Sequence, residues 1–179
     1  HEVDLFDAAA EIGGQFNMAK RIPGKEEFHE TIRYFGRRLA VTGVRVHLGR
    51  RVGAEALKGF DHVVLATGVT PRDPKIPGAD DPRVLTYIDV LRDARPVGKR
   101  VAIVGAGGIG FDVAEFLVHD GHSPALDIAA WLREWGVADP AAFRGGVAGV
   151  TPEPSPPARE VTLLQRKKTK PGAGLGKTT

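Results

Sequence analysis

The chain has 179 residues, of which 42 % are hydrophobic and 26 % charged, the composition of an ordinary soluble globular protein. The absence of cysteine excludes disulfides, thiolate catalysis and cysteine-ligated metals, and a net charge of +3 does not support nucleic-acid binding. Since no apolar run is long enough to span a membrane and no signal-peptide pattern opens the chain, we expect a cytoplasmic protein with no nucleic-acid or membrane partner.

The first part of the chain predicts a strand, a helix and a second strand. Residues 3–6 predict a short buried strand that ends at Asp7. A helix of roughly 18 residues follows, and Gly43 is a good stop for it. Its apolar stripe consists of Phe28, Ile32, Phe35 and Leu39. Alternation over 44–48 predicts a half-exposed strand, and 54–57 amounts to at most one helical turn.

A continuous apolar run at residues 62–66 predicts a fully buried strand, closed by Thr67-Gly68. Residues 71–98 are proline-rich and predict a crossover between two domains. A short helix around Ile88–Arg92 interrupts this crossover.

The strand-and-helix pattern then restarts. The predicted elements are a buried strand at Arg100–Val104, helices at Ile109–Val118 and 126–135, a surface loop at 145–158 and a last strand at Glu160–Gln165. Ile128, Leu132 and Trp135 share one face of the second helix. Alternating strands and helices indicate an α/β fold.

A dinucleotide-binding fingerprint lies between the strand and the helix of this second part. Gly105, Gly107 and Gly110 satisfy G-x-G-x-x-G, with Gly108 inside the same turn. The first glycine permits a tight turn, the second lets the backbone approach a pyrophosphate, and the third lets the helix pack closely on the strand. A glycine-rich turn that binds nothing is the alternative, and the apolar strand and helix on either side argue against it.

The residues after the last strand favour NADP(H). A residue at this position reads the ribose, an acid for a free 2′-hydroxyl and a base for a 2′-phosphate. Here Arg166 and Lys167 follow Gln165, without an acid. A solvated basic loop is the alternative. Arg166 also lies much farther from Gly110 than the roughly 20 residues of the compact motif. An insertion of helix 126–135 and the proline-rich loop would account for that.

The opening strand is followed by an acid, whereas the last strand is followed by bases. Residues 2–7 resemble 160–165 but end in Asp7, an acid where a ribose diol would lie. With Thr67-Gly68 after an apolar run, this indicates an FAD-type domain. The fold prediction is therefore two partial Rossmann-like, doubly wound domains. Residues 1–70 form a partial FAD-binding domain, 71–98 the crossover, and 99–179 a partial NADP(H)-binding domain.

Two other patterns are weaker. Residues 174–178, Gly-Leu-Gly-Lys-Thr, resemble a P-loop, but the glycine required upstream is displaced by one residue. His119 and His122 flank a helix end and are interpreted as a solvated terminus, with a metal site as the alternative. We predict neither a metal site nor catalytic residues in this chain.

Several stretches, in this order, resemble the C-terminal half of bacterial NADPH-dependent 2,4-dienoyl-CoA reductases, which are iron–sulfur flavoproteins. They are Glu11–Asn17, Ile22–Phe28, Ala66–Arg72, Asp89–Leu91, Val101–Asp112 and Lys170–Thr179. Enzymes of the trimethylamine dehydrogenase type share this architecture and remain an alternative.

The resemblance implies a larger enzyme of fatty-acid β-oxidation, with the NADP domain inserted in the FAD domain. An N-terminal barrel, absent from this chain, would hold FMN, a 4Fe-4S cluster and the catalytic acid residues. Electrons would run from NADPH through FAD, the cluster and FMN to a dienoyl-CoA, an acyl-CoA thioester. On this reading the chain is a fragment that is inactive alone. A free-standing dinucleotide-binding or redox-sensing module without its own chemistry is the alternative.

The resemblance also implies site residues for the two cofactors. Asp7 would hold the FAD ribose, Gly13, Gly14 and Gln15 would meet the flavin nucleotide, and Arg33 would meet its phosphates. Val52 would contact adenine through its backbone, and Thr67 and Gly68 would pass near the cofactor. Arg166 and Lys167 match the positions that read NADP.

Overall fold

The computed structural model describes residues 1–175, which contain two separate pairs of parallel strands. In the first pair, β1 (Asp4–Phe6) lies beside β2 (Arg45–His47). In the second, β3 (Arg100–Val104) lies beside β4 (Glu160–Leu164). Parallel neighbours need a crossover, usually through a helix, and helices intervene in both pairs. The α/β class is therefore confirmed, and the insertion of one domain in another stays a prediction.

Helices α1 (Phe16–Ala19) and α2 (Phe28–Val41) connect β1 to β2. The ring of Phe28 lies 4.7 Å from that of Phe16, so the apolar stripe of α2 begins by packing on α1. With 14 residues, α2 is shorter than predicted, because tight turns at 25–27 precede it. It ends as predicted, before Gly43, whose left-handed φ of 72° turns the chain into β2.

A charged cluster joins β1 to β2. Arg45 donates to both carboxylate oxygens of Asp4, at 3.0 and 2.7 Å, and Nε2 of His47 lies 2.8 Å from Oδ1 of Asp4. Only 10 % of the Asp4 side chain is exposed. The hydrogen bonds from Arg45, and then that with His47, hold the pKa of Asp4 far below its ordinary value. The short pair of strands is thus tied by an ionic contact on one face.

The predicted buried strand at 62–66 is wrong. These residues have no regular structure, and Val64 and Leu65 are 87 % and 79 % exposed. A strand buried on both faces needs neighbouring strands and covering layers. In residues 1–175, no strand pairs with this run, and the nearest sheet along the chain consists of β1 and β2 alone.

Two α-helices lie between β3 and β4 along the chain. Helix α4 (Gly108–Val118) packs on β3 and β4, and α5 (Ile128–Trp135) lies in the connection that follows. The prediction that β3 is a buried strand is wrong: its side chains alternate in exposure, and Val104 is 70 % exposed. Within the described part of the chain, α4 covers one face of this pair, and the other face is open.

Helix α3 (Tyr87–Leu91) lies in the predicted crossover, close to the expected position. A capping box starts it, because the Thr86 hydroxyl accepts from the Asp89 N–H and the Asp89 carboxylate accepts from the Thr86 N–H. Its buried Val90 and Leu91 belong to the main core. That core brings together residues from before, within and after the crossover: Ile22, Val90, Leu91, Val113 and Leu117.

Among residues 1–175, no helix is both long and apolar enough to cross a membrane. The same residues contain no group of three or more His, Cys, Asp or Glu side chains placed to hold a metal ion. His119 instead lies 2.9 Å from the Glu115 carbonyl through its Nδ1, one turn back on α4.

Candidate dinucleotide-binding sites

The glycine-rich turn between β3 and α4 has a backbone that only glycine permits at two positions. Gly105 has a φ of 125°, in the left-handed region. At Gly110 an added Cβ would lie 2.1 Å from the carbonyl oxygen of Gly105, well inside contact distance. The first turn of α4 therefore approaches the end of β3 as closely as a backbone can.

The same turn is open on its outer side. A Cβ at Gly107 would meet no atom within 4 Å. No side chain caps the N-terminus of α4, whose first N–H groups have no partner within the helix. Free N–H groups and the positive end of the helix dipole together favour a phosphate. The residues present thus fit the pyrophosphate of a dinucleotide, and the geometry requires glycine where the motif has it.

Arg166 and Lys167 lie beside this turn because of the register of β3 and β4. Val104 pairs with Leu164, and the Gly105 N–H donates to the Leu164 carbonyl at 2.8 Å. The two loops therefore leave the same edge of one sheet next to each other. The long spacing in sequence is taken up by α5 and the loop before β4, as expected.

The side chain of Gln165 ties together the loop after β4. The side-chain amide of Gln165 donates to the carbonyl of Lys167 at 2.9 Å and to that of Thr169. Arg166 and Lys167 are both exposed, and neither forms an ion pair with a carboxylate in residues 1–175. Two cations therefore stand at the edge of the glycine turn, and their preference for a 2′-phosphate stays a prediction.

In the chain before the crossover (residues 1–70, the first unit), Asp7 and Gly13 line one cleft of about 300 Å³. Asp7 follows β1, and its Oδ1 accepts from the Ala9 N–H at 2.8 Å. Gly13 has a φ of 116°, and a Cβ there would lie 3.0 Å from the Ile32 side chain. The rest of the lining is mostly apolar and comes from β1, the turn before α1 and the stripe of α2: Leu5, Ile12, Phe16, Thr31, Ile32, Phe35 and Leu39.

The other predicted flavin-site residues lie outside this cleft. Gln15 is exposed at the start of α1, and Gly14 precedes it with a φ of 50°. Arg33 is exposed on α2 and paired with Glu30. Val52 lies in the loop after β2, and Thr67 and Gly68 lie in the exposed, irregular run after residue 62. Their contacts with a flavin stay predictions.

The sequence matches the family described as pyridine nucleotide-disulphide oxidoreductase over residues 8–169, nearly the whole chain. The chain belongs to this family. Membership implies a flavin and a nicotinamide nucleotide as cofactors.

Curated relatives include reductases and oxidases. The bilirubin reductase of Mediterraneibacter gnavus is 33 % identical over 123 residues, which cover 68 % of this chain and 19 % of that protein. The cinnamate reductase of Clostridium sporogenes is 32 % identical over 128 residues, covering 68 % and 18 %. The NADH oxidase of Thermoanaerobacter brockii is 31 % identical over 127 residues, covering 68 % and 20 %. The chain spans about a fifth of the length of these relatives.

A solved structure of a 2-naphthoyl-CoA reductase in complex with 2-naphthoyl-CoA has the same fold. Its TM-score is 0.64 at 21 % identity, and the match covers 92 % of this chain and 29 % of the other. The two chains thus share a fold over 92 % of this one.

A larger cavity, of about 640 Å³, lies at the C-terminal end of α4, away from the glycine turn and from the cleft at Asp7. Two of the cations that line it, Arg159 and Arg21, bond carbonyls at helix ends. Arg159 donates to the Leu117 carbonyl at 3.1 Å, and Arg21 donates to the Leu91 carbonyl. Basic groups at helix C-termini satisfy free carbonyls and oppose the negative end of the dipole. These residues therefore stabilise α3 and α4.

Sequence reasoning missed one polar contact near the glycine turn. Lys25 Nζ lies 2.6 Å from Asp112 Oδ1, across a sequence separation of 87 residues. No periodicity or motif links two residues so far apart, so only the packing of the turns before α2 on α4 reveals the pair. The P-loop-like residues 176–178 lie outside the described part of the chain.

Proposed function

We propose that this chain forms the pyridine-nucleotide and flavin part of an NADPH-dependent flavoprotein oxidoreductase. The observation that carries the proposal is the uncapped, glycine-lined N-terminus of α4 next to Arg166 and Lys167. Open N–H groups suit a pyrophosphate, and neighbouring cations suit the extra phosphate of NADPH.

The roles of the residues follow from their chemistry. The N–H groups of the glycine turn donate to the pyrophosphate oxygens, and Gly107 leaves room for them. Arg166 offers a planar fork of donors to the 2′-phosphate, and Lys167 adds a second positive charge. In the first unit, Asp7 accepts from the ribose hydroxyls of FAD. When bound, the nicotinamide supplies a hydride that the flavin accepts.

For the whole protein we propose a 2,4-dienoyl-CoA reductase-like activity, with a conjugated acyl-CoA thioester as substrate. The sequence resemblance supports this, and so do relatives that are named for the reduction of bilirubin and cinnamate and a fold neighbour that is named for 2-naphthoyl-CoA. FMN and a 4Fe-4S cluster would be further cofactors of the whole protein.

Calorimetric titration of the chain with NADPH tests the nucleotide site. Gly107→Val fills the open space over the turn and is expected to abolish NADPH binding. Gly98→Val is the matched control, since Gly98 also has open space around it and no left-handed φ, but lies outside the turn. Binding that survives Gly107→Val, or fails equally in both variants, would contradict the proposal.

A further inference from the structure

Lys25–Asp112 is an ion pair between the first unit and the helix of the glycine turn. In the described residues, it is the one ion pair that joins the chain before the crossover to the chain after it. Both side chains are about two-thirds buried, with 32 % and 29 % exposed. Arg21 adds a cation–π contact from the same loop, with its guanidinium 5.5 Å from the Phe116 ring.

The carboxylate of Asp112 lies near the N-terminus of α4, where a negative charge is unfavourable for phosphate binding. It follows Gly108 by four residues, so the two lie on the same face of α4 and about 6 Å apart along its axis. Helical side chains also tilt toward the N-terminus, which brings the carboxylate closer to the turn. An unpaired negative charge there would repel the pyrophosphate that the N-terminus attracts.

We infer that Lys25 is a positioning residue for dinucleotide binding. Its ammonium neutralises the Asp112 carboxylate and thereby preserves the affinity of the α4 N-terminus for phosphate. The inference rests on the proposed function, because it assumes that a dinucleotide binds at the glycine turn. It makes the nucleotide affinity of the chain after the crossover (the second unit, from residue 99 onward) depend on a residue of the first unit.

An electrostatic role and a merely structural one predict different effects of Asp112→Asn on nucleotide affinity. If Lys25 acts by neutralising Asp112, Lys25→Met weakens binding, because it leaves an uncompensated carboxylate. Asp112→Asn also breaks the ion pair, but it removes the repelling charge. It therefore leaves affinity unchanged or improved, and it restores affinity in the double variant. If the pair only held the two units together, both single variants would weaken binding alike.

The experiment titrates the 179-residue chain with NADPH and with NADH, for the wild type, Lys25→Met, Asp112→Asn and the double variant. We expect Lys25→Met to raise the dissociation constant about tenfold, equivalent to about 1.4 kcal/mol. The loss is expected to be equal for both coenzymes, since both carry the pyrophosphate, and to shrink near 1 M salt, where the Debye length is about 3 Å. Lys25→Arg is expected to retain affinity.

Lys20→Met is the matched control, since the Lys20 ammonium donates to Asn17 and has no carboxylate partner in residues 1–175. Urea unfolding of each variant separates affinity from stability. Equal weakening by Lys25→Met and Asp112→Asn, or a loss confined to NADPH, overturns the inference. If Lys25→Met fails to fold, Asp112→Asn decides alone: weaker binding overturns the inference and unchanged or tighter binding supports it. A wild type that binds neither coenzyme instead overturns the proposed function.

Discussion

At the scale of single residues, the two strand ends differ in charge. Asp7 follows β1 and lines the apolar cleft, whereas Arg166 and Lys167 follow β4, beside the glycine turn. A carboxylate accepts from ribose hydroxyls and repels a phosphate, whereas a guanidinium donates to phosphate oxygens and attracts them. The same kind of strand end thus serves two different nucleotides in this proposal.

Arg166→Ala is expected to discriminate between the coenzymes. A charge-assisted hydrogen bond contributes about 1.5–3 kcal/mol, so the NADPH Michaelis constant of the whole enzyme should rise roughly ten- to a hundredfold. The NADH constant should barely change, and Lys167→Ala should have a smaller effect, because an ammonium lacks the bidentate fork. Paired steady-state titrations check this. Equal losses for both coenzymes would mean that Arg166 supports the loop and does not read the phosphate.

At the scale of elements, short strands depend on contacts outside their backbone ladder. β1 and β2 have three residues each, and Asp4 ties them through Arg45 and His47. By contrast, residues 62–66 have strand-forming side chains but no partner in the described chain, and they stay irregular. Apolar character is therefore insufficient for a strand where nothing pairs with it.

The pairing of β1 with β2 is expected to weaken in acid. Hydrogen bonds from Arg45 and His47 lower the pKa of Asp4 in the folded state below its unfolded value of about 3.9. The unfolded chain therefore takes up the proton first, and the stabilisation, complete above about pH 5, is lost progressively as the pH falls through the unfolded pKa toward the lower folded one.

Urea unfolding at pH 7 and near pH 3 measures the contribution of Asp4. Asp4→Asn should lower stability at pH 7, and its difference from the wild type should shrink in acid. Asp80→Asn, at an exposed position without an ion pair among residues 1–175, is the control and should change little at either pH. An Asp4→Asn difference that is equal at both pH values would contradict the assignment.

At the scale of the whole molecule, one core spans the predicted domain boundary. Ile22, from the turns before α2, is 2 % exposed and packs with the α3 and α4 residues Val90, Leu91, Val113 and Leu117. With the Lys25–Asp112 pair and the Arg21 contacts, this packing ties α4 to the first part of the chain. The glycine turn at the start of α4 is therefore oriented by residues of both units.

Ile22→Ala is expected to destabilise the second unit although it lies in the first. Removing a buried isoleucine costs about 2–5 kcal/mol, and hydrogen exchange of the α4 amides should accelerate accordingly. Ile128→Ala, at an 80 % exposed position on α5, is the control and should fall within about 0.5 kcal/mol of wild type. Unchanged exchange in α4 after Ile22→Ala would show that the two units fold independently.

The elements that depend on near neighbours were predictable from the sequence. The glycine turn, the end of α2 at Gly43 and the helix at Tyr87–Leu91 each follow from φ preferences, capping residues or apolar spacing within a few positions. The positions of the site glycines and cations were predictable for the same reason, since they directly follow two recognisable strands, and their role in nucleotide binding stays a prediction.

What the sequence by itself determined is therefore the local backbone: where glycine must reverse the chain, where α2 ends, where α3 lies, and which charge follows each strand. The tertiary structure alone decided that Val104 pairs with Leu164, that residues 62–66 stay exposed, and that Lys25 meets Asp112. Conformational preference acts over a few residues, whereas pairing and burial depend on which distant surfaces are present to pack together.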